Sequence, residues 1–252
     1  MHDAGFLLLS LRPVGGHDGL RRAAARRHGR VLAMSPWRIV ALDDADARGQ
    51  LRDALGCPRV VFTSPAAVQA SARLQRLTPK RGQYFFGVGE GTRLALQRAG
   101  VADAKAPDRM DSEGLLALPE ITTLRRGDAV GLVTAPGGRG EITRQLRARG
   151  VQVRRADVYA REAVRIPDAR WRLLQQALAD ATSPIFLALS SGEAFTVLLA
   201  QTPPALDKPL RKITVIAASE RLATLAREHG FRHIRVAASA RPHDVLAATN
   251  AA

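Results

Sequence analysis

The sequence predicts an α/β protein with parallel sheets in two similar lobes, and three observations carry that expectation. Residues 60–68, Val-Val-Phe-Thr-Ser-Pro-Ala-Ala-Val, run from apolar β-prone residues through two hydroxyls into an alanine-rich helical pattern. That is the signature of a buried parallel strand feeding a helix through a short turn. The design recurs half a chain later, where Ile-Phe-Leu-Ala-Leu at 185–189 meets Ser190, Ser191, Gly192, Glu193 and Ala194. A second strand and helix follow each copy, at 84–100 and 213–230, so the two stretches predict related lobes facing each other. Thirdly, strands alternate with helices throughout, without long polar linkers.

In the first of these turns Thr63 and Ser64 fall where a helix N-terminus needs a cap, and Pro65 suits the first helical position. Hydroxyls, free backbone N–H groups and the positive end of a helix dipole together predict a small anion site.

Taken in order, residues 6–11 read as a first buried strand, ending at Arg12-Pro13 and a glycine-bearing loop through Gly19. Residues 20–28 are helix-patterned with Gly29 as the stop, and 30–34 form a short strand closed by Ser35-Pro36. Residues 37–42 are an extended connector leading to Asp43, Asp44 and Asp46, carboxylates that suit the start of a helix running to Leu55. After the strand and helix at 60–77, residues 84–88 form a strand, and Gly89-Glu90-Gly91-Thr92 turns into a helix ending at Gly100. This GxG lacks the third glycine of a dinucleotide fingerprint and reads better as a backbone turn that approaches something closely. A short helix at 112–116 and a strand at 128–134 follow. The loop 135–140, with three glycines around Arg139, either carries that arginine into open space or is an ordinary turn into the helix 141–149. A short strand at 151–153, an extended piece from Asp157 and a helix from Pro167 to Leu178 lead to the second hydroxyl turn. Thr202-Pro203-Pro204 reads as a surface loop, residues 231–237 as a last strand and 244–248 as a helix.

With 252 residues the chain has room for one large domain or two of about 100–150 residues. Thirty-eight Lys and Arg against 23 Asp and Glu give a formal charge of +15. That excess favours an anionic partner: nucleic acid, a membrane surface or a small polyacid. The arginines are spread along the chain, so solvated helix faces in a biased composition explain them equally well. Cys57 is the only cysteine, which excludes an intrachain disulfide and a cysteine-based zinc site. Gly230 interrupts the helix between His229 and His233, and no metal is expected. Met1-His2-Asp3 lacks the basic start of a signal peptide and residues 6–11 are too short an apolar run to span a membrane, so a cytoplasmic protein is expected.

Leu11-Arg12-Pro13, Phe62-Thr63-Ser64-Pro65-Ala66-Ala67-Val68 and Val88-Gly89-Glu90-Gly91-Thr92 are followed by Gly138-Arg139, Val158-Tyr159-Ala160-Arg161 and Ser190-Ser191-Gly192-Glu193. This succession, spread over nearly the whole chain, resembles the uroporphyrinogen-III synthase family. One departure is plain: the family usually has a threonine where Leu11 stands, and Ser10 points to the other side of the strand. The resemblance implies two flavodoxin-like lobes with parallel sheets, joined by a two-stranded connector, with the active site in the cleft between them. Residues 1–35 and 165–252 would form one discontinuous lobe, 43–157 the other, and 36–42 and 158–164 the connecting strands.

The resemblance further implies a lyase acting on hydroxymethylbilane, a linear tetrapyrrole with an acetate and a propionate on every ring. Loss of water closes the macrocycle with inversion of ring D through a spiro intermediate. No cofactor, membrane or nucleic acid is implied, a monomer suffices, and transient transfer of substrate from the upstream deaminase is compatible. Tyr159 matches the family's proposed proton donor, a phenol that keeps its proton at neutral pH; the alternative is a packed connector residue whose hydroxyl merely finds a partner. Arg12, Thr63, Ser64, Gly89, Thr92, Arg139, Ser190, Ser191 and Gly192 are the expected substrate-binding residues. Two other classes compete. A nucleic-acid-binding protein would explain the charge, but aromatics are only 4% and no recognition motif appears. A two-lobed sensor of a small anion would use the same cleft without chemistry.

Overall fold

The computed structural model of the chain describes residues 5–109, 111–137, 140–180 and 183–249. It opens with strand β1 (Leu7–Ser10), helix α1 (Asp18–Ala25) and strands β2 (Arg30–Ala33) and β3 (Trp37–Ala41). Next come α2 (Ala45–Leu55), β4 (Arg59–Phe62), α3 (Pro65–Leu74), β5 (Tyr84–Gly87) and α4 (Glu90–Arg98). Short helices α5 (Ser112–Leu116) and α6 (Pro119–Thr122) lead to β6 (Ala129–Thr134), α7 (Glu141–Ala148), β7 (Gln152–Asp157) and β8 (Tyr159–Ala163). Then follow α8 (Asp168–Asp180), β9 (Ile185–Leu189), α9 (Gly192–Gln201) and α10 (Pro204–Leu210). The last are β10 (Thr214–Ala217), α11 (Glu220–Glu228), β11 (Ile234–Val236) and α12 (Pro242–Ala247).

The elements fall into two compact units, one formed by Met1–Arg38 with Glu162–Ala252 and the other by Ile39–Arg161. The sheet of the first unit has the order β11-β10-β9-β1-β2, parallel at every pairing. The second has the order β5-β4-β6-β7, again all parallel. β3 and β8 pair in a third, two-stranded sheet, where Arg38 and Glu162 form an ion pair at 2.8 Å.

Each large sheet is covered on both faces, which is why its strands read as unbroken apolar runs. In β4, Val60 and Phe62 face Leu51 and Ala54 of α2 and Ala67 and Val68 of α3. Val61 between them faces Leu115, Ile121 and Leu146 on the opposite side. In β1, Leu9 packs with Trp171 and Phe195, while Leu8 packs with Leu20 and Val245. Complete burial of a side chain such as Phe62 contributes about 1.5–3 kcal/mol.

The helix starts follow the capping chemistry. Ser64 caps α3 by accepting the Ala67 N–H at 3.1 Å, Ser191 caps α9 by accepting that of Ala194 at 3.3 Å, and Asp44 caps α2 through Ala47 at 2.7 Å. Pro65 is the first residue of α3. Local expectations failed where a neighbour overrode them. The stretch read as a surface loop at 202–204 runs into helix α10, with Pro204 at its first position. The left-handed residue after α1 is His28 (φ 57), not Gly29; a Cβ on Gly29 would stand 2.1 Å from the Phe6 ring. β7 is longer than the strand expected at 151–153 and runs through Asp157. The repeat between residues 60–68 and 185–194 is one of local design alone. By sheet position β4 corresponds to β1, and β9 to β6, on opposite sides of the point where strand order reverses.

The loop after β1 is anchored by a buried imidazole. His17 is 2% exposed, with Nδ1 at 2.9 Å from Ser10 Oγ and Nε2 at 2.7 Å from Ser35 Oγ. In the neutral ring one nitrogen donates and the other accepts, so a single side chain ties the ends of β1 and β2 together. Burial, reinforced by Arg21, Arg12 and Arg170 and opposed by Asp18, lowers the His17 pKa to about 4.

Two outcomes are expected. Gly131 of β6 approaches the last turn of α2 so closely that an added Cβ would stand 2.1 Å from the Ala54 carbonyl oxygen. Gly131→Ala should therefore destabilise the protein by about 1–3 kcal/mol in urea unfolding; an unchanged midpoint would refute the close approach. As pH falls, the unfolded chain protonates His17 near 6.5 and the folded chain only near 4, so the folded state binds fewer protons between these values. The stability linked to His17 is complete above pH 6.5 and is lost as pH falls towards 4, by up to about 3 kcal/mol. Urea midpoints across this window should show that loss, and His17→Gln should remove that share of the pH dependence.

Candidate active site

A doubly wound parallel sheet leaves a crevice outside the carboxyl ends of the two strands where its order reverses. In the unit Ile39–Arg161 those strands are β4 and β6. The Thr63 N–H continues the ladder to Val133 O at 3.1 Å, and Thr63 Oγ1 donates to Thr134 Oγ1 at 2.9 Å. A cavity of about 310 Å³ opens at this point, with Thr63, Ser64, Thr134, Arg155, Tyr159 and Arg161 among its lining residues. Its volume is at the low end for a small-molecule site.

Tyr159 opens β8 and is 3% exposed, its ring packed in the apolar cluster of Phe62 and Val133. Its hydroxyl lies 3.0 Å from Ser64 Oγ, the cap of α3. The residue is therefore packed and partnered, and it also lines the cavity. Arg155 donates to Ala135 O at 2.9 Å and grips Asp157 with Nη2 at 2.9 Å and Nε at 3.1 Å. Its guanidinium is thus braced at the rim, while Arg161 is exposed.

The other unit has the corresponding crevice between β1 and β9. Arg12 there donates to Ala240 O at 2.9 Å, and burial pulls its pKa below the usual arginine value. Ser190 is exposed beside it, and Ser191 is engaged as the cap of α9. The space lined by Ser10, Arg12 and Ser190 is only about 10 Å³.

Of the expected site residues, Thr63, Ser64 and Tyr159 are brought together around one cavity, and Arg12 and Ser190 around the other. Gly89 is the N-cap of α4. Thr92 is buried in the first turn of α4, packed under Gly87, whose added Cβ would meet the Thr92 Cβ at 2.8 Å. Gly192 starts α9, where a Cβ would meet Leu225 at 3.0 Å. Arg139 lies outside the described residues. Sequence reasoning missed Thr134, Arg155 and Arg161 as lining residues. The signal for Thr134 was available: it is the hydroxyl closing an apolar strand, as Thr63 is, but its relevance depends on β4 and β6 being neighbours. Among the described residues no group of three or more His, Cys, Asp or Glu could hold a metal, and no helix is long and apolar enough to cross a membrane.

Comparison with known proteins agrees with this architecture. The family model described as "Uroporphyrinogen-III synthase HemD" matches residues 18–247. Uroporphyrinogen-III synthase of Salmonella typhimurium is 32% identical over 214 residues, 84% of this chain and 81% of that protein. The Escherichia coli protein of the same name is 30% identical over the same shares. Among solved structures, the Helicobacter pylori uroporphyrinogen-III synthetase aligns with a TM-score of 0.59 at 14% identity, over 96% of this chain and 97% of that one. A mutant of the Thermus thermophilus synthase aligns with a TM-score of 0.57 at 16% identity, over 96% of each chain. At those identities the two structures speak to fold alone. The family match and the curated relatives carry more, and by them this chain belongs to the uroporphyrinogen-III synthase family.

Proposed function

We propose that the chain carries out the family's reaction with Tyr159 as proton donor, at the cavity outside β4 and β6. That reaction is the dehydrative closure of hydroxymethylbilane with inversion of ring D. The observation that supports this is the Tyr159 hydroxyl on the cavity wall, 3.0 Å from the cap of α3. A hydroxymethyl group leaves as water when an acid protonates its oxygen while the C–O bond breaks. The cationic azafulvene left behind is attacked by the substituted carbon of ring D, giving a spiro intermediate. That intermediate opens and recloses with ring D inverted, and loss of a proton restores the pyrrole. Little beyond one proton donor is required, because holding the two ends of a flexible chain together supplies much of the rate.

Binding falls to groups that recognise carboxylates. The Thr63–Thr134 hydroxyl pair, Arg155 and Arg161 surround the cavity, which accommodates part of the bilane. Arg12, Ser190 and Ser191, with the backbone at Gly192, offer a second set of donors at the ends of β1 and β9. Gly89 at the N-cap of α4 and Thr92 in its first turn, together with Arg139, complete the set of binding residues. The net charge of +15 raises the local concentration of a polycarboxylate, less so as salt increases. One chain carries every group invoked, so a monomer suffices; a cytoplasmic location and transient transfer of the substrate from the upstream deaminase belong to the same proposal.

Tyr159→Phe keeps the ring packing and removes the acid. Turnover of freshly generated hydroxymethylbilane should fall by about 10²–10⁴-fold, with the product shifting from isomer III towards the isomer I of spontaneous closure. Chromatographic separation of the uroporphyrinogen isomers reads both effects. Full retention of rate and isomer III would remove Tyr159 from the role.

A further inference from the structure

We infer that Ser64 acts through Tyr159 as a positioning residue, donating its hydroxyl hydrogen to the phenolic oxygen and leaving the phenolic proton free to face the cavity. The inference rests on the reading of Tyr159 as proton donor and sharpens it. It also moves Ser64 out of the set of direct substrate contacts.

A serine hydroxyl has one hydrogen and two lone pairs, and so does the phenol of a tyrosine. Among the described residues Ser64 Oγ has two partners, the Ala67 N–H at 3.1 Å and Tyr159 Oη at 3.0 Å. Among the same residues Tyr159 Oη has Ser64 as its only partner. The Ala67 N–H can only donate, so it occupies one lone pair of Ser64. If Tyr159 donated to the second lone pair, the phenolic proton would be tied down and the serine hydrogen would be the one left over at the cavity. With the roles reversed the phenolic hydrogen is the one left over; both arrangements make the same two bonds, and a Tyr159 that gives its proton to the substrate requires this one. Thr63 does not compete, because its hydroxyl is given to Thr134 at 2.9 Å.

The consequence appears when the proton leaves. As the phenolic O–H breaks and the substrate oxygen takes the proton, the C–O pair departs with that oxygen as water and a phenolate remains. The Ser64 O–H already points at that phenolate. Ser64 is itself polarised by an N–H at the start of a ten-residue helix, whose positive dipole end favours the new negative charge. The phenolate then recovers a proton from the ring carbon that must lose one after closure, so the enzyme returns to its starting state.

The test is a cycle of Ser64→Gly, Tyr159→Phe and the double variant, with Ser64→Thr as rescue. Glycine is tolerated as a helix cap, so Ser64→Gly removes the hydroxyl with little harm to α3. The expected result is kcat about 100-fold lower with KM nearly unchanged, recovery in Ser64→Thr, and no further loss when Ser64→Gly is added to Tyr159→Phe. A raised KM with unchanged kcat would overturn the inference and make Ser64 a carboxylate contact. Multiplying losses in the double variant would overturn it too, while leaving Tyr159 as the acid. Full turnover by Tyr159→Phe alone would sink the proton-donor reading and this inference with it.

Discussion

The reversal of strand order within each sheet is the constraint on which the rest depends. Helices cover both faces, so β4 and β6 must be apolar up to their final residues. Polar chemistry can begin only where the strands stop. Phe62 gives way to Thr63, Val133 to Thr134 and Leu189 to Ser190 at those ends. Where β4 and β6 lie side by side but send their chains to opposite sides, the helices diverge and the hydroxyls are left facing a gap. The residues that end a strand and cap a helix are then also the residues that line a cavity.

The same geometry delivers Tyr159 from the far end of the sequence. β7 pairs in parallel with β6, register bringing Asp157 opposite Thr134, and the Val158 N–H donates to Thr134 O at 3.1 Å. The next residue is Tyr159, which must emerge against the same crevice wall as the Thr63–Thr134 pair. Its ring is held by Phe62 and Val133 and its hydroxyl by Ser64, so the strand ladder determines which atom faces the cavity. A slip of one residue along β7 would turn that side chain to the opposite face.

Much of this was legible in the sequence because it depends on local signals. Apolar runs, hydroxyl caps and glycine stops mark strands and helices wherever the chain alone decides, as at Ser64, Ser191 and Asp44. What was illegible depends on which strands are neighbours. Ser64 and Tyr159 are 95 residues apart, and nothing local says they touch. Thr134 and Arg155 matter only once β6 and β7 are known to flank β4. The capping residue after α1 was misread for the same reason: Gly29 is demanded by the ring of Phe6, a contact from β1's side of the sheet, and so the left-handed turn fell to His28.

The two crevices are alike in topology and unlike in chemistry, and hydrogen-bond accounting explains the difference. Beside β1 and β9 several polar groups already have partners: Ser10 and Ser35 in His17, Arg12 in Ala240 O, and Ser191 in the Ala194 N–H. Leu11, where the family usually has threonine, is buried in the apolar cluster instead of offering a hydroxyl. Burial and nearby arginines keep His17 neutral at physiological pH, so it binds the strand ends together without adding a charge. The space left between them is about 10 Å³. Beside β4 and β6 the hydroxyls are paired with one another at an open cavity, Thr63 with Thr134 and Ser64 with Tyr159. Each hydroxyl pair uses one of its two hydrogens and leaves the other. With Tyr159 proposed as the acid, this crevice is, of the two, the one that brings a phenol to an open cavity.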